Sequence, residues 1–301
     1  MTKKKVIVIV GPTAAGKTRF AIKLAERIRG EIISADSMQV YKGMDILSQA
    51  PTKPERRKIP HYLISFLKPS EEYSAAKFAK RATKIIKSIM KRGKVPIVVG
   101  GSGLYVKALV DGIFLSKGKN RAFRAKLERV AREKGPEALH GKLAALDPAA
   151  ASKIHKNDKK RIIRAIEICE LEGTTKTKLE KNTKGIKEEY DIRILGLRVA
   201  REDLYRRINQ RVDFMFKKGI VEEVKKVLKQ KPSLTAKQAL GISQVEKYIE
   251  GTYNIEEAKD ALKRYTRRFA KRQLTWFRRD QRIEWLDVNG KSITCNVKIK
   301  E

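Results

Sequence analysis

The chain has 301 residues, 41% of them hydrophobic, with 70 Lys and Arg against 34 Asp and Glu and a formal charge of +36. That length suffices for one large domain or two modest ones. The charge surplus points to a polyanionic partner, either nucleic acid or an acidic membrane. A lysine bias of habitat or codon usage is the competing source of part of it. No apolar run approaches the roughly 18 residues that cross a bilayer, and the start, MTKKKVIVIV, lacks the pattern of a signal peptide. Cys169 and Cys295, with His61, His140 and His155, offer neither zinc spacing nor a disulfide framework. The expectation is a cytoplasmic protein.

Val6–Val10 (VIVIV) reads as a strand, residues 11–18 (GPTAAGKT) as a glycine-bounded loop, and Thr18–Ile28 as a helix. That order is the full context of a phosphate-binding P-loop. Gly11 and Gly16 let the backbone curl, so that the amides of Thr13, Ala14, Ala15 and their neighbours face an anion at the helix N-terminus. Lys17 then reaches the terminal phosphate oxygens and the Thr18 hydroxyl ligates Mg²⁺. The bland alternative is a glycine turn between a strand and a helix. The loop specifies a di- or triphosphate, not which one.

Glu31–Ala35 is a second strand that ends at Asp36-Ser37, and Tyr62–Phe66 a third. Ala75–Arg92 is an amphipathic helix with Phe78, Ala82, Ile85, Ile86 and Ile89 at helical spacing. Val95–Val99 is an apolar strand running into Gly100-Gly101-Ser102-Gly103, and Leu104–Val110 resumes as helix. Alternating strands and helices predict a parallel sheet with phosphate chemistry at its carboxyl edge. Residues 116–190 change grammar: helical patterns dense in Lys and Arg, broken by Gly135-Pro136 and Asp147-Pro148, without a strand. Ile192–Val199 returns to the sheet. Helices follow at Arg201–Gln230, Thr235–Glu250 and Ile255–Arg279, then a weak strand at Ile283–Val288. The predicted fold is α/β: a P-loop NTPase-like core from 1–115 and 191–301, interrupted by a basic helical insertion domain at 116–190.

A P-loop enzyme that moves a γ-phosphoryl group usually carries a second acid at the end of a neighbouring strand. Here VPIVV ends in glycines and serine, and the carboxylate sits instead at Asp36. Beside the phosphate site, Asp36 suits a general base that takes a proton from an acceptor. Its alternative role is to cap the next turn. A small-molecule or nucleoside kinase, and an RNA-binding protein with a relic phosphate loop, remain open at this point.

Seven blocks in order resemble the tRNA dimethylallyltransferase (tRNA isopentenyltransferase) family, bacterial type. They are GPTAAGKT, ADSMQVYKGMDI, GGSGLYVKALVDG, NDKKRIIRAIEICELEG, LYRRINQRVDFMFKKGIVEEV, QALGISQ and TRRFAKRQLTWFRRD. The resemblance spans Val6 to about Trp285. It implies transfer of a dimethylallyl group from dimethylallyl diphosphate to the exocyclic amine of the tRNA adenosine just 3′ of the anticodon, assisted by Mg²⁺. The chain departs from the family pattern at Ser102, where Thr is usual, at Leu47–Pro51 (LSQAP for GTAKP), and at Ile242, where Tyr is common. It also lacks the Cys₂His₂ zinc finger of eukaryotic relatives.

The resemblance implies Asp36 as catalytic base, with Lys17, Thr18 and Arg211 at the leaving diphosphate. Arg207 and Arg211 lie four residues apart and share a helix face. It further implies tRNA contacts from Asp36, Ser37, Met38, Gln39 and Ser102, from Lys160, Arg161, Ile162, Ile163 and Arg164, and from Arg272. Basic residues and aromatics alternate from Lys263 to Arg282, the composition that holds single-stranded loops. At helical spacing Tyr265, Phe269, Arg272 and Trp276 share a face, so some of these aromatics are expected in the core. The target base must leave its stack to be reached. A monomer is expected.

Overall fold

The computed structural model describes residues 3–114, 118 and 120–288. Two compact units result, one from residues 1–110 with 186–301 and one from 111–185. The breaks fall a few residues before 116 and 190. One reason is local: a 3₁₀ turn at Ile186–Glu188 carries the chain into Tyr190, whose amide donates to Ile186 O at 2.9 Å.

In the larger unit the elements run in the predicted alternation. They are β1 (Lys5–Val10), α1 (Lys17–Ile28), β2 (Gly30–Ser34), α2 (Asp45–Ser48), α3 (Lys53–Lys58), β3 (His61–Tyr62), α4 (Ala75–Lys91), β4 (Val95–Val99) and α5 (Gly103–Val110). The insertion holds α6 (Arg121–Glu133), α7 (Gly135–Leu146), α8 (Pro148–Ala151), α9 (Lys159–Glu172) and α10 (Lys176–Lys181). The chain then returns through β5 (Asp191–Arg198), α11 (Arg201–Lys217), α12 (Ile220–Lys229), α13 (Ile242–Ile249), α14 (Ile255–Phe277) and β6 (Ile283–Asp287).

The sheet has six strands, all parallel, in the order β3-β2-β4-β1-β5-β6. β1 is central, and Val6 to Val10 are 0% exposed. A strand covered on both faces in this way reads as a continuous apolar run, which is why VIVIV was legible. The strand order reverses at β1, since β4 and β5 flank it, and this puts the loop after β1 at the crevice where open parallel sheets bind ligands.

Three elements differ from expectation. The third strand stops after Tyr62, because Leu63 and Ser65 adopt left-handed φ of 63° and 49° and turn the chain away. Phe66 and Leu67 instead donate their amides to Val40 O. The helical stretch expected over Arg201–Gln230 is two helices, divided at Gly219 with φ 89°, a conformation that glycine adopts without strain. Thr235–Glu250 is likewise divided into a 3₁₀ turn at Ala236–Gln238 and α13, with Gly241 between them at φ 107°.

The insertion packs around Leu127, Leu139, Leu143, Ile162 and Ile166. Beside this core sits a buried carboxylate, Glu167, with a 0% exposed side chain. It accepts from Arg124 Nε at 2.8 Å, from Arg164 Nη1 at 2.5 Å and from the Asn120 amide at 2.8 Å. Burial alone would raise this acid. The three donors outweigh it and hold the carboxyl down at about 2.

Because the folded carboxyl lies below the ordinary 4.5, the stability it contributes is present above that pH and is lost as pH falls toward 2. Glu167→Gln should therefore lower protection of the α9 amides in hydrogen exchange at neutral pH by about 2 kcal/mol. The gap between variant and parent should close on acidification below pH 4.5. A gap that stays constant with pH would mean that the charge contributes nothing.

Candidate active site

A cavity of about 570 Å³ opens at the carboxyl edge of the sheet in the larger unit. The loop after β1 forms its floor. Gly11 takes φ 140°, and a Cβ there would meet Leu197 O at 2.8 Å, so only glycine lets β1 enter the loop beside β5. Gly16 at φ 89° closes the loop onto α1. Lys17 folds back across it, with Nζ donating to Gly11 O at 2.9 Å and Pro12 O at 2.7 Å. These are neutral acceptors, and an anion in the cradle outcompetes them for the ammonium.

Asp36 enters from the end of β2, with Oδ1 accepting the Met38 amide at 2.8 Å. The next residue is tied across the cavity: the Ser37 amide donates to Ser102 Oγ at 3.1 Å. Ser102 thus keeps a hydroxyl in service at a position where the family pattern has Thr. Gln39 accepts from Ser34 Oγ at 2.8 Å and faces the carbonyls of Ser48 and Gln49. α2 is fixed in turn by Glu223 of α12, which accepts the Ile46 and Leu47 amides at 2.9 and 2.7 Å.

Arg211 on α11 donates to Thr13 Oγ1 at 3.1 Å. Three charged groups therefore share the cavity, and burial acts on each. Lys17 is lowered to about 8, first by burial and also by Arg211, against the upward pull of Asp36. Asp36 is raised, chiefly by burial, which outweighs the Met38 and Gln39 amides and the charge of Lys17. Arg211 lies below its ordinary value through burial. Burial thus displaces the proton affinity of all three groups, a pattern that clusters at functional sites.

Of the residues named from sequence, Thr13, Ala14, Gly16, Lys17, Thr18, Asp36, Ser37, Met38, Gln39, Ser102, Arg211 and Arg272 all line this cavity. Gly11 and Ala15 are buried. Lys160, Arg161, Ile162, Ile163 and Arg164 belong to the insertion. There Ile162 and Ile163 are core residues, at 0% and 7% exposure, and Arg164 is engaged by Glu167. Lys160 and Arg161 stand exposed in the first turn of α9.

Along α14 the expected sorting of aromatics changes. Phe277 is the core residue at 3% exposure, whereas Tyr265 and Trp276 are exposed and Tyr265, Phe269 and Arg272 face the cavity. Gln273 was not anticipated. Its Oε1 accepts the Thr13 amide at 2.8 Å and its Nε2 donates to Gly101 O at 2.9 Å. Its one sequence signal is position, since it lies on the buried stripe Leu262, Thr266, Ala270 and Phe277, where a large polar side chain needs partners.

A parallel sheet with a lysine-bearing glycine loop after its central strand, and a carboxylate at the end of the next, defines an α/β fold of the P-loop NTPase-like class. Residues 39–280 match the family model described as IPP transferase, and the chain belongs to that family. A protein named tRNA dimethylallyltransferase from Carboxydothermus hydrogenoformans is 49% identical over 293 residues, covering 96% of this chain and 94% of the relative. Its namesake from Geobacter sulfurreducens is 44% identical, covering 95% and 93%. Among solved structures, the full-length tRNA isopentenylpyrophosphate transferase of Bacillus halodurans is similar at TM-score 0.69 and 42% identity, over 95% of this chain and 90% of that one. A eukaryotic dimethylallyltransferase acting on tRNA is similar at TM-score 0.80 and 31% identity, over 94% and 74%. The kinase and relic-loop alternatives fall away.

Proposed function

We propose that this chain transfers a dimethylallyl group from dimethylallyl diphosphate to N6 of the adenosine 3′ of the anticodon in tRNA, releasing pyrophosphate. The observation that carries the reading is the meeting of Lys17, Asp36 and Arg211 at one cavity. In this chemistry the N6 lone pair forms a bond to the allylic carbon. The carbon–oxygen bond breaks, and its electron pair stays on the bridging oxygen of pyrophosphate. Lys17 and Arg211 face the charge that develops there. Asp36 takes the N6 proton, and its raised affinity for protons matches that task. An aryl amine is a weak nucleophile, so placement must supply much of the rate. The Ser37–Ser102 tie serves that placement by fixing the loop that carries Asp36.

The donor set also fits Mg²⁺. Thr18 offers a hydroxyl at the cavity, and no cluster of three His, Cys, Asp or Glu occurs among the described residues. Such a site holds a magnesium ion largely through the substrate's phosphates rather than in an all-protein cage. Bound there by Thr18, the ion would neutralise diphosphate charge.

The tRNA reading rests on the charge of +36 and on the exposed Lys160 and Arg161. It rests equally on the wall of Tyr265, Phe269 and Arg272, where a flipped base meets stacking surface and a cation. The same reading has the enzyme work as a monomer in the cytoplasm. No described helix is long and apolar enough to cross a membrane.

Nucleoside mass analysis of unmodified tRNA incubated with the protein and dimethylallyl diphosphate should show one added dimethylallyl group on adenosine. Asp36→Ala should keep tRNA affinity and lose about 10²–10⁴-fold in kcat. Unmodified adenosine with the parent protein contradicts the reading, and near-parental kcat in the variant removes Asp36 from the chemistry.

tRNA affinity should fall steeply with salt, by about 0.7–0.9 log units per log unit of salt for each phosphate contact. Neutralising Lys160 and Arg161 together should flatten that slope while donor affinity holds. Arg164 is left in place because Glu167 needs it. Anisotropy of a labelled anticodon stem-loop across a salt series reads this directly. An unchanged slope would take α9 out of the tRNA site.

A further inference from the structure

Helix α2 cannot cap itself. Its first amides need acceptors, and Met44, the residue before it, has no side-chain oxygen to offer. The acceptor comes instead from α12, 176 and 177 residues away: Glu223 Oε1 takes the Leu47 amide at 2.7 Å and Oε2 the Ile46 amide at 2.9 Å. Both oxygens of a half-buried carboxylate are thus committed to one short helix. At its other end α2 meets the loop that carries Asp36. Gln39 Nε2 lies 3.5 Å from Ser48 O and 3.4 Å from Gln49 O, while its Oε1 accepts from Ser34 Oγ at 2.8 Å. The backbone amide of Gln39, with that of Met38, faces the Asp36 carboxylate. Gln39 therefore braces against α2 with its side chain and holds Asp36 with its backbone.

We infer that Glu223 is a positioning residue for the transfer: it sets α2, α2 sets Gln39, and Gln39 sets the direction of Asp36. The inference rests on the reading of Asp36 as the base, given above. Glu223 is not among the residues that line the cavity, so its effect passes through α2 rather than through a contact with substrate. A base has to sit within hydrogen-bond reach of the proton it takes, and a displacement of about 1 Å can cost on the order of 10²-fold in rate. Ser102 fixes the Asp36 loop from one side through Ser37, and Gln39 with α2 fixes it from the other. Two ties leave the carboxylate less room to turn than one. The place of α2 in the fold does not hang on Glu223 alone. Leu47 is 6% exposed, and it lies so close over Gly241 that a Cβ there would meet its Cδ2 at 2.9 Å. Loss of the carboxylate then slackens the register of α2 and leaves the helix docked.

The test is a double-mutant cycle on kcat in the full chain, with dimethylallyl diphosphate and an unmodified anticodon stem-loop as substrates. Glu223→Gln puts an NH₂ group where one α2 amide needs an acceptor. It should lower kcat by about tenfold, with KM for the donor and affinity for the stem-loop near parental. Glu223→Ala removes both acceptors and should approach a loss of about 10²-fold. Gln39→Ala cuts the brace but keeps the backbone amides beside Asp36. In that background Glu223→Gln should cost little more, because both substitutions break the same line of contacts. A merely structural Glu223 makes the two losses multiply, and that result overturns the proposal. Parental kcat in Glu223→Gln, or a loss that falls on KM alone, overturns it equally. If Glu223→Ala fails to fold, Glu223→Gln carries the cycle by itself. Failure of the base reading is seen separately, as near-parental kcat in Asp36→Ala.

Discussion

Taking two cations and a carboxylate out of bulk water at one sheet edge is the demand that the surrounding structure answers. An isolated buried charge is costly, so each must be held within reach of its opposite or of hydrogen-bond partners. Lys17 rests on two carbonyls of its own loop, Asp36 on the amide of Met38, and Arg211 on the hydroxyl of Thr13. None of these partners neutralises its charge fully. That leaves the group available to a substrate, and the displaced proton affinities of Lys17 and Asp36 are the signature.

The loops are secured from outside the P-loop, and this gives the site its rigidity. Gln273 ties the loop after β1 to the loop after β4, and Ser102 ties the loop after β4 to the loop after β2. Glu223 fastens α2, which lines the same cavity. Two glycines make the close approaches possible: Gly100, where a Cβ would meet Ala35 O at 2.1 Å, and Gly101 against Gln273. The sheet supplies the platform, and these few ties hold the loops that line the cavity in register. A catalytic constellation needs such support to keep its geometry.

What sequence revealed here follows from how locally each feature is encoded. The strand, loop and helix around Lys17 are contiguous, so their pattern is complete in some twenty letters, and Asp36 was legible because it ends a short apolar run. Arg211 needed the family resemblance, since its partner Thr13 lies 198 residues away. Gln273 was missed for the same reason, a polar residue whose only hint is its place on a buried stripe. The early end of β3 was not legible either, because no glycine announces the left-handed turns at Leu63 and Ser65. Gly241 did announce its turn, and the helical reading of Thr235–Glu250 ran across it. In the insertion, the resemblance implied tRNA contacts from Lys160, Arg161, Ile162, Ile163 and Arg164, and sequence did not show which of these side chains also hold the insertion together. The structure commits Arg164 to a buried acid and turns Ile162 and Ile163 inward.

The central claim is that burial at the sheet edge makes Asp36 a proton acceptor matched to an incoming amine. Carbon-13 NMR of the full chain labelled at aspartate carboxyls, with the Asp36 resonance assigned by its loss in Asp36→Asn, measures this directly. The account predicts a titration midpoint for Asp36 above the ordinary 3.8. A midpoint at or below that value would show the carboxylate to be an ordinary ion-pair partner and would contradict the account.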